Sequence, residues 1–215
     1  MISELLIGPQ PAKVEFAKKS KKDQLSFSGW ETAGWVRWIE GLRGVYERRM
    51  NRMCSALENG RFLVKQSTPV KAADADWAVI SKTKMYSFDW PRGGMFLWLQ
   101  IHYENHPLAG EIAGARLATL LWILLTRPPY LVLVSPGETF CPTDEIRNEK
   151  GWQFYRLCFA AVDEDEVAKS SKRLAEGVKA FWLIKDKKEM EEIGKDLDDE
   201  SIDAEVADLS INFAC

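Results

Sequence analysis

Histidine is scarce in this 215-residue chain, which has only His102 and His106. A metal centre built on imidazole therefore has little to draw on. Cysteine is sparse too: Cys54, Cys141, Cys158 and Cys215 show no C-x-x-C spacing. That excludes a dense disulfide framework and suits a reducing compartment, where a buried cysteine acts as a small hydrophobe. Long hydrophobic runs are missing. The longest, Leu117 to Thr126, covers about half a membrane span and is closed by Arg116 and Arg127, which predicts a buried helix and no membrane association. Residues 2–8 are too short for a signal peptide, carry a glutamate and lack a basic leader, so a soluble cytoplasmic protein is expected. No nucleic-acid motif is present, and basic residues alternate with acidic ones along the helices, so no nucleic-acid partner is expected.

What is there suffices for a folded unit. Apolar residues make up 46% of the chain and nine are tryptophan, enough to bury the core of one domain or two small ones. The net charge of −3 is unevenly spread: residues 186–215 hold eleven acidic residues and three lysines, leaving a mildly basic body. The run Asp196 to Glu200 and the few large apolar residues around it predict a disordered, solvated tail from Asp186 onward. A mildly basic body suits anionic small molecules.

Along the chain, residues 1–7 look like the end of a helix broken by Gly8-Pro9-Gln10-Pro11. Residues 12–29 are polar and lysine-rich and are expected to form a mobile loop. Trp35, Trp38, Leu42, Tyr46, Met50, Met53 and Leu57 recur every three or four residues, which predicts a long amphipathic helix stopped by Asn59-Gly60. Its arginines and glutamates read as a solvated face. Strands are expected at 77–80, 95–101, 130–134 and 153–160, the second apolar enough to be covered on both faces. Helices are expected at 111–126 and 162–185, the latter opened by Asp163 with Glu166 three residues on, a capping box. The outcome is an α+β fold with helices on one sheet.

Two local features carry chemistry. Arg156 is a permanent charge inside the apolar stretch Phe154 to Ala160 and needs a partner, because an unpaired buried charge is too costly to keep. That partner is either a structural carboxylate, Glu145 or Asp163, or a ligand carboxylate gripped by two parallel hydrogen bonds. His102, Glu104 and His106 alternate like metal ligands, but they run into Asn105-His106-Pro107, a turn, with no fourth ligand near. They are read as exposed residues at a strand end, and no metal site is expected. No nucleophile–base pair is evident in the sequence.

Three segments carry a family resemblance: Gly93-Gly94-Met95-Phe96-Leu97-Trp98-Leu99, Ser135-Pro136-Gly137-Glu138-Thr139-Phe140, and Arg156-Leu157-Cys158-Phe159-Ala160-Ala161-Val162-Asp163. Together with the helix Gly34 to Gly60 they resemble the C-terminal part of class I/II aminotransferases of fold type I, most like the fungal aromatic-amino-acid and 2-aminoadipate group. The resemblance runs from about Met1 to Asp186. It implies a remnant of the large domain at 1–33, the small domain at 34–185 behind a long interdomain helix, and the acidic tail at 186–215. It implies pyridoxal 5'-phosphate (PLP) as cofactor of the complete enzyme, an amino acid and a 2-oxo acid as substrates, and a homodimer. Arg156 would hold the substrate α-carboxylate, the glycine pair with Gly94 would lie near the substrate, and Phe140 and Gly137 would shape the pocket wall.

The family's Schiff-base lysine lies N-terminal to the region matched here, so no catalytic or cofactor-binding residue is expected in this chain. Ser81-Lys82-Thr83-Lys84 shares some vocabulary with the family's lysine segment, yet it reads as solvated lysines at a strand edge; Lys21, Lys22 and Lys172 fit less well. The expected function is therefore part of an aminotransferase, inactive alone. The alternative is a non-catalytic binding or assembly module with the same small-domain fold.

Overall fold

A computed structural model describes residues 10–29, 33–66 and 80–195. The expected helix end at 1–7, residues 77–79 of the first expected strand and the acidic segment after 195 lie outside the described residues. The chain divides into two compact units, one ending at Arg48 and the other starting at Arg49.

In the first unit, residues 12–29 are not the expected loop. Helix α1 spans Gln10–Lys18 and α2 spans Lys21–Gln24. Ser20 caps α2 by accepting the Asp23 N–H at 3.3 Å, and the Gln24 side-chain amide donates to the Phe16 carbonyl at 3.1 Å. These local bonds satisfy helix ends that composition alone does not reveal. The long helix α3, Ala33–Gly60, starts here as expected, with Trp35 stacked on Trp38 at 5.1 Å.

In the second unit, α3 ends at Gly60, where a side chain would collide with Ala175 and the Tyr86 hydroxyl. Cys54 and Leu57 are fully buried on this part of the helix. Burial, with Glu58 nearby, pushes the Cys54 thiol up to about 11, so it behaves as the small hydrophobe expected. Strand β1 (Phe62–Gln66) pairs antiparallel with β2 (Ile80–Lys84) in a separate two-stranded sheet.

The main sheet has the order β3-β4-β6-β5, all antiparallel, built from β3 (Tyr86–Ser87), β4 (Phe96–Ile101), β5 (Ser135–Pro136) and β6 (Phe154–Cys158). Helix α4 (Gly114–Thr126) lies between β4 and β5 in sequence, and helix α5 (Asp144–Lys150) between β5 and β6. Helix α6 (Glu164–Leu183) follows β6, opened by Asp163 accepting the Glu166 N–H at 2.8 Å as the capping box predicts. A short helix α7 (Lys187–Glu192) closes the described chain.

Among the described residues, the long helices cover one face of this sheet and leave the other half-buried. Leu97, Leu99, Ile101, Tyr155 and Leu157 are buried together with Leu117, Leu120 and Leu121 of α4 and Leu174, Val178, Phe181 and Trp182 of α6. Each of the large apolar side chains contributes roughly 1.5–3 kcal/mol by leaving water. The Tyr155 hydroxyl donates to the Ala118 carbonyl at 3.0 Å and meets the Tyr103 hydroxyl at 3.2 Å, tying sheet to helix. Helices α4 and α6 approach closely at Gly177, where a Cβ would sit 2.6 Å from Leu125. The expectation that β4 is covered on both faces is overturned: Trp98, on its other face, stays 45% exposed. A continuous apolar run had hidden an ordinary strand alternation.

Three further expectations change. Residues 130–134 are not a strand: Val132 donates its N–H back to the Leu125 carbonyl at 2.8 Å and the Trp122 indole N–H donates to the Val134 carbonyl at 3.1 Å. Those bonds to α4 use groups a ladder would need. Asp186 does not begin a disordered tail, because α7 packs on the domain with Met190 fully buried and Glu191 accepting twice from the Arg116 guanidinium, at 2.9 and 3.1 Å. His106 is a core residue and not an exposed strand end. Among the described residues no cluster of three metal-ligating side chains exists, and no helix is long and apolar enough to cross a membrane.

His106 Nδ1 accepts the Leu108 N–H at 3.0 Å, so Nε2 carries the proton and donates it to the Phe181 carbonyl at 3.1 Å. Burial against Phe181 and Trp182 lowers its pKa from 6.5, outweighing that carbonyl. The unfolded chain thus takes up a proton that the folded one refuses. Stability from this neutral imidazole is present above pH 6.5 and declines as the pH falls toward the lowered value, by at most about 1.4 kcal/mol per pH unit. Urea midpoints at pH 7.5 and 5 should converge for His106→Gln relative to the parent; equal pH dependence in both proteins would refute the assignment.

Candidate functional site

Arg156 sits at the middle of β6, opposite Trp98 on β4 and Ser135 on β5. Residues directly opposite in an antiparallel ladder project to the same side, so Phe96, Trp98 and Gln100 share one face with Phe154, Arg156 and Cys158. Among the described residues, this is the face that α4 and α6 leave uncovered. Of the two alternatives, the structural salt bridge to Glu145 or Asp163 is not formed among the described residues, and the Asp163 carboxylate is used as the cap of α6. The guanidinium carbon lies 3.8 Å from the centre of the Phe140 ring and 4.2 Å from that of Phe96. Two aromatic faces stabilise the cation and hold its orientation without supplying an oxygen acceptor. Among the described residues no carboxylate or carbonyl meets the five N–H donors, which remain available to a planar two-oxygen ligand.

The surrounding backbone places Phe140. Pro136 leads into a single tight turn, Gly137–Phe140, packed against a second, Gly151–Gln153. A Cβ on Gly137 would lie 2.7 Å from the Gly151 carbonyl and 2.8 Å from Phe154, so only glycine allows the two turns to meet. Phe140 is thereby delivered to Arg156, 37% exposed, with its ring edge-on to Trp98 at 5.7 Å. Trp98 in turn meets Phe154 edge-on at 6.4 Å.

Of the residues singled out from sequence, Arg156 and Phe140 are brought into contact. Gly94 is not among those contacts. It lies on an exposed turn two residues before Phe96, at φ +77°, with nothing within 4 Å of where a side chain would begin, so its glycine is required by backbone conformation and not by packing. Phe96 and Trp98 were missed as site residues; their i, i+2 spacing on β4 was the available signal. Lys82 and Lys84 are exposed on the β1–β2 hairpin, and Lys21, Lys22 and Lys172 are exposed on helices.

No family model matches the chain. It is 29% identical over 134 residues to an L-tyrosine:2-oxoglutarate aminotransferase of Tapinella panuoides, covering 57% of this chain and 20% of that protein. It is 24% identical over 168 residues to aromatic amino acid aminotransferase 2 of Saccharomyces cerevisiae, covering 77% of this chain and 28% of that protein. The crystal structure of aminotransferase Aro8 from Candida albicans superposes with a TM-score of 0.51 at 19% identity, over 85% of this chain and 34% of that one. The chain resembles a C-terminal portion of a PLP-dependent aminotransferase. Its α+β domain has the fold of the corresponding part of those aminotransferases, and it spans between a fifth and three-tenths of the length of the curated relatives.

If the two rings hold the Arg156 cation, Phe140→Leu and Arg156→Met should not be additive. A double-mutant cycle on unfolding free energy should return a coupling of about 0.5–1 kcal/mol. A coupling indistinguishable from zero would remove the clamp.

Proposed function

We propose that this chain supplies the substrate-carboxylate site of a PLP-dependent aminotransferase that moves an amino group from an aromatic or 2-aminoadipate-like amino acid to a 2-oxo acid. The observation that carries the reading is Arg156, gripped between Phe96 and Phe140 on the uncovered sheet face with its donors unused among the described residues. Both substrate classes share an α-carboxylate, and a guanidinium held face-on by rings binds it through two parallel hydrogen bonds. Trp98 and Phe140 offer apolar surface to the adjoining side chain.

PLP, when bound, supplies the electron sink for the Cα carbanion. In this proposal it is held by residues other than those described here, the chain alone does not transaminate, and the assembled enzyme is a cytoplasmic homodimer. The exposed Trp35, Val36, Trp38 and Ile39 on α3 support an apolar surface meant for covering, in preference to a free-standing module.

Titration with 4-hydroxyphenylpyruvate, followed by tryptophan fluorescence, should report binding that weakens about 10- to 100-fold in Arg156→Gln, the range for a charge-assisted hydrogen-bonded pair. Unchanged affinity in that variant would overturn the carboxylate assignment. Incubation with PLP and borohydride should leave no stoichiometric lysine adduct; one adduct per chain on a single lysine would overturn the claim that the chain is inactive alone.

A further inference from the structure

The pairing of β3 with β4 brings together three side chains that sequence order keeps apart. The Ser87 hydroxyl lies 2.8 Å from His102 Nε2, and His102 Nδ1 lies 2.9 Å from Glu104 Oε1. An ionised carboxylate only accepts, so Nδ1 carries the ring proton, and Nε2 of the neutral imidazole accepts from the serine hydroxyl. This is the order of a nucleophile, a base and an orienting acid, recognised by geometry and role and not by position in the chain. Ser87 is opposite Gln100 and so shares the uncovered face with Trp98 and Phe154. Two strands across and two residues along, it stands about 12 Å from Arg156. His102 is only 16% exposed in its side chain, which holds the ring in place, whereas Glu104 is 65% exposed.

We propose that Ser87, His102 and Glu104 form a second site, independent of PLP chemistry, that hydrolyses short-chain aryl esters. An aryl group finds edge and face contacts on Trp98 and Phe154. Ser87 Oγ attacks the acyl carbon while its proton passes to His102 Nε2. The C–O bond to the leaving phenol breaks as Nε2 returns that proton to the phenolate oxygen. Water then adds to the acyl-serine, giving its proton to Nε2 and from there to Ser87 Oγ, and the carboxylic acid leaves. One water is consumed per ester, with no net redox change. Glu104 is a positioning residue that acts through His102.

The test uses the full PLP-free chain, so its outcome is separate from that of the aminotransferase reading. With 4-nitrophenyl acetate, a burst approaching one nitrophenol per chain is expected, and a fluorophosphonate probe should add once, on Ser87 by peptide mapping. Ser87→Ala and His102→Gln should each slow hydrolysis about 100-fold or more, the low end for a lost nucleophile or general base. Glu104→Gln should lower kcat several-fold at constant KM, and Glu104→Asp should recover part of it. An unlabelled Ser87 in the parent chain, or a Ser87→Ala variant hydrolysing at the parent rate, would overturn the proposal. The labelling result stands even if a variant fails to fold.

Discussion

The pleat of β6 turns Tyr155 and Leu157 toward helices α4 and α6, and by the same alternation turns Phe154, Arg156 and Cys158 away from them. A guanidinium on the covered side would be desolvated beside leucine and tryptophan without a carboxylate. On the open side it keeps water on one edge and aromatic rings on its faces. The Tyr155 hydroxyl anchors this register: bonded to the Ala118 carbonyl and the Tyr103 hydroxyl, it cannot slip by one residue without leaving buried polar atoms unpaired. The position of Arg156 thus depends on a residue that touches no ligand.

The same one-sidedness puts Ser87 and Arg156 on one surface. β3 contributes only two pairs of ladder partners, yet they set Ser87 against the strand end from which His102 projects. β5 is equally short and sets Ser135 beside Arg156 while the glycine turn behind it returns Phe140. Short edge strands here act as positioning devices for side chains. The large apolar contribution to stability comes from β4, β6 and the two helices beneath them.

Much of the frame was legible from local pattern. The long helix with its Asn59-Gly60 stop, the buried helix bounded by Arg116 and Arg127, and the Asp163 N-cap all appear where spacing placed them, although the Glu166 carboxylate pairs with Arg173 and does not complete the box. Each depends on residues three or four apart, which one turn of helix brings into contact. The helices at 10–24 were missed because they rest on side-chain caps within a polar stretch. Helix α7 was missed because its acidic composition masks one buried methionine and one arginine partner 75 residues away.

By itself, the sequence determined the longer helices, the α+β class and Arg156 as a charge in need of a partner, because periodicity and charge cost are written in neighbouring residues. The segments around Gly94, Phe140 and Arg156 also carried the aminotransferase resemblance. Only the tertiary structure decided that one sheet face stays open, that His106 is a neutral core residue while His102 meets Ser87, and that Phe96 and Phe140 clamp Arg156. Those outcomes depend on which strands pair and which face the helices cover. Such contacts join residues tens of positions apart, and no local spacing records them.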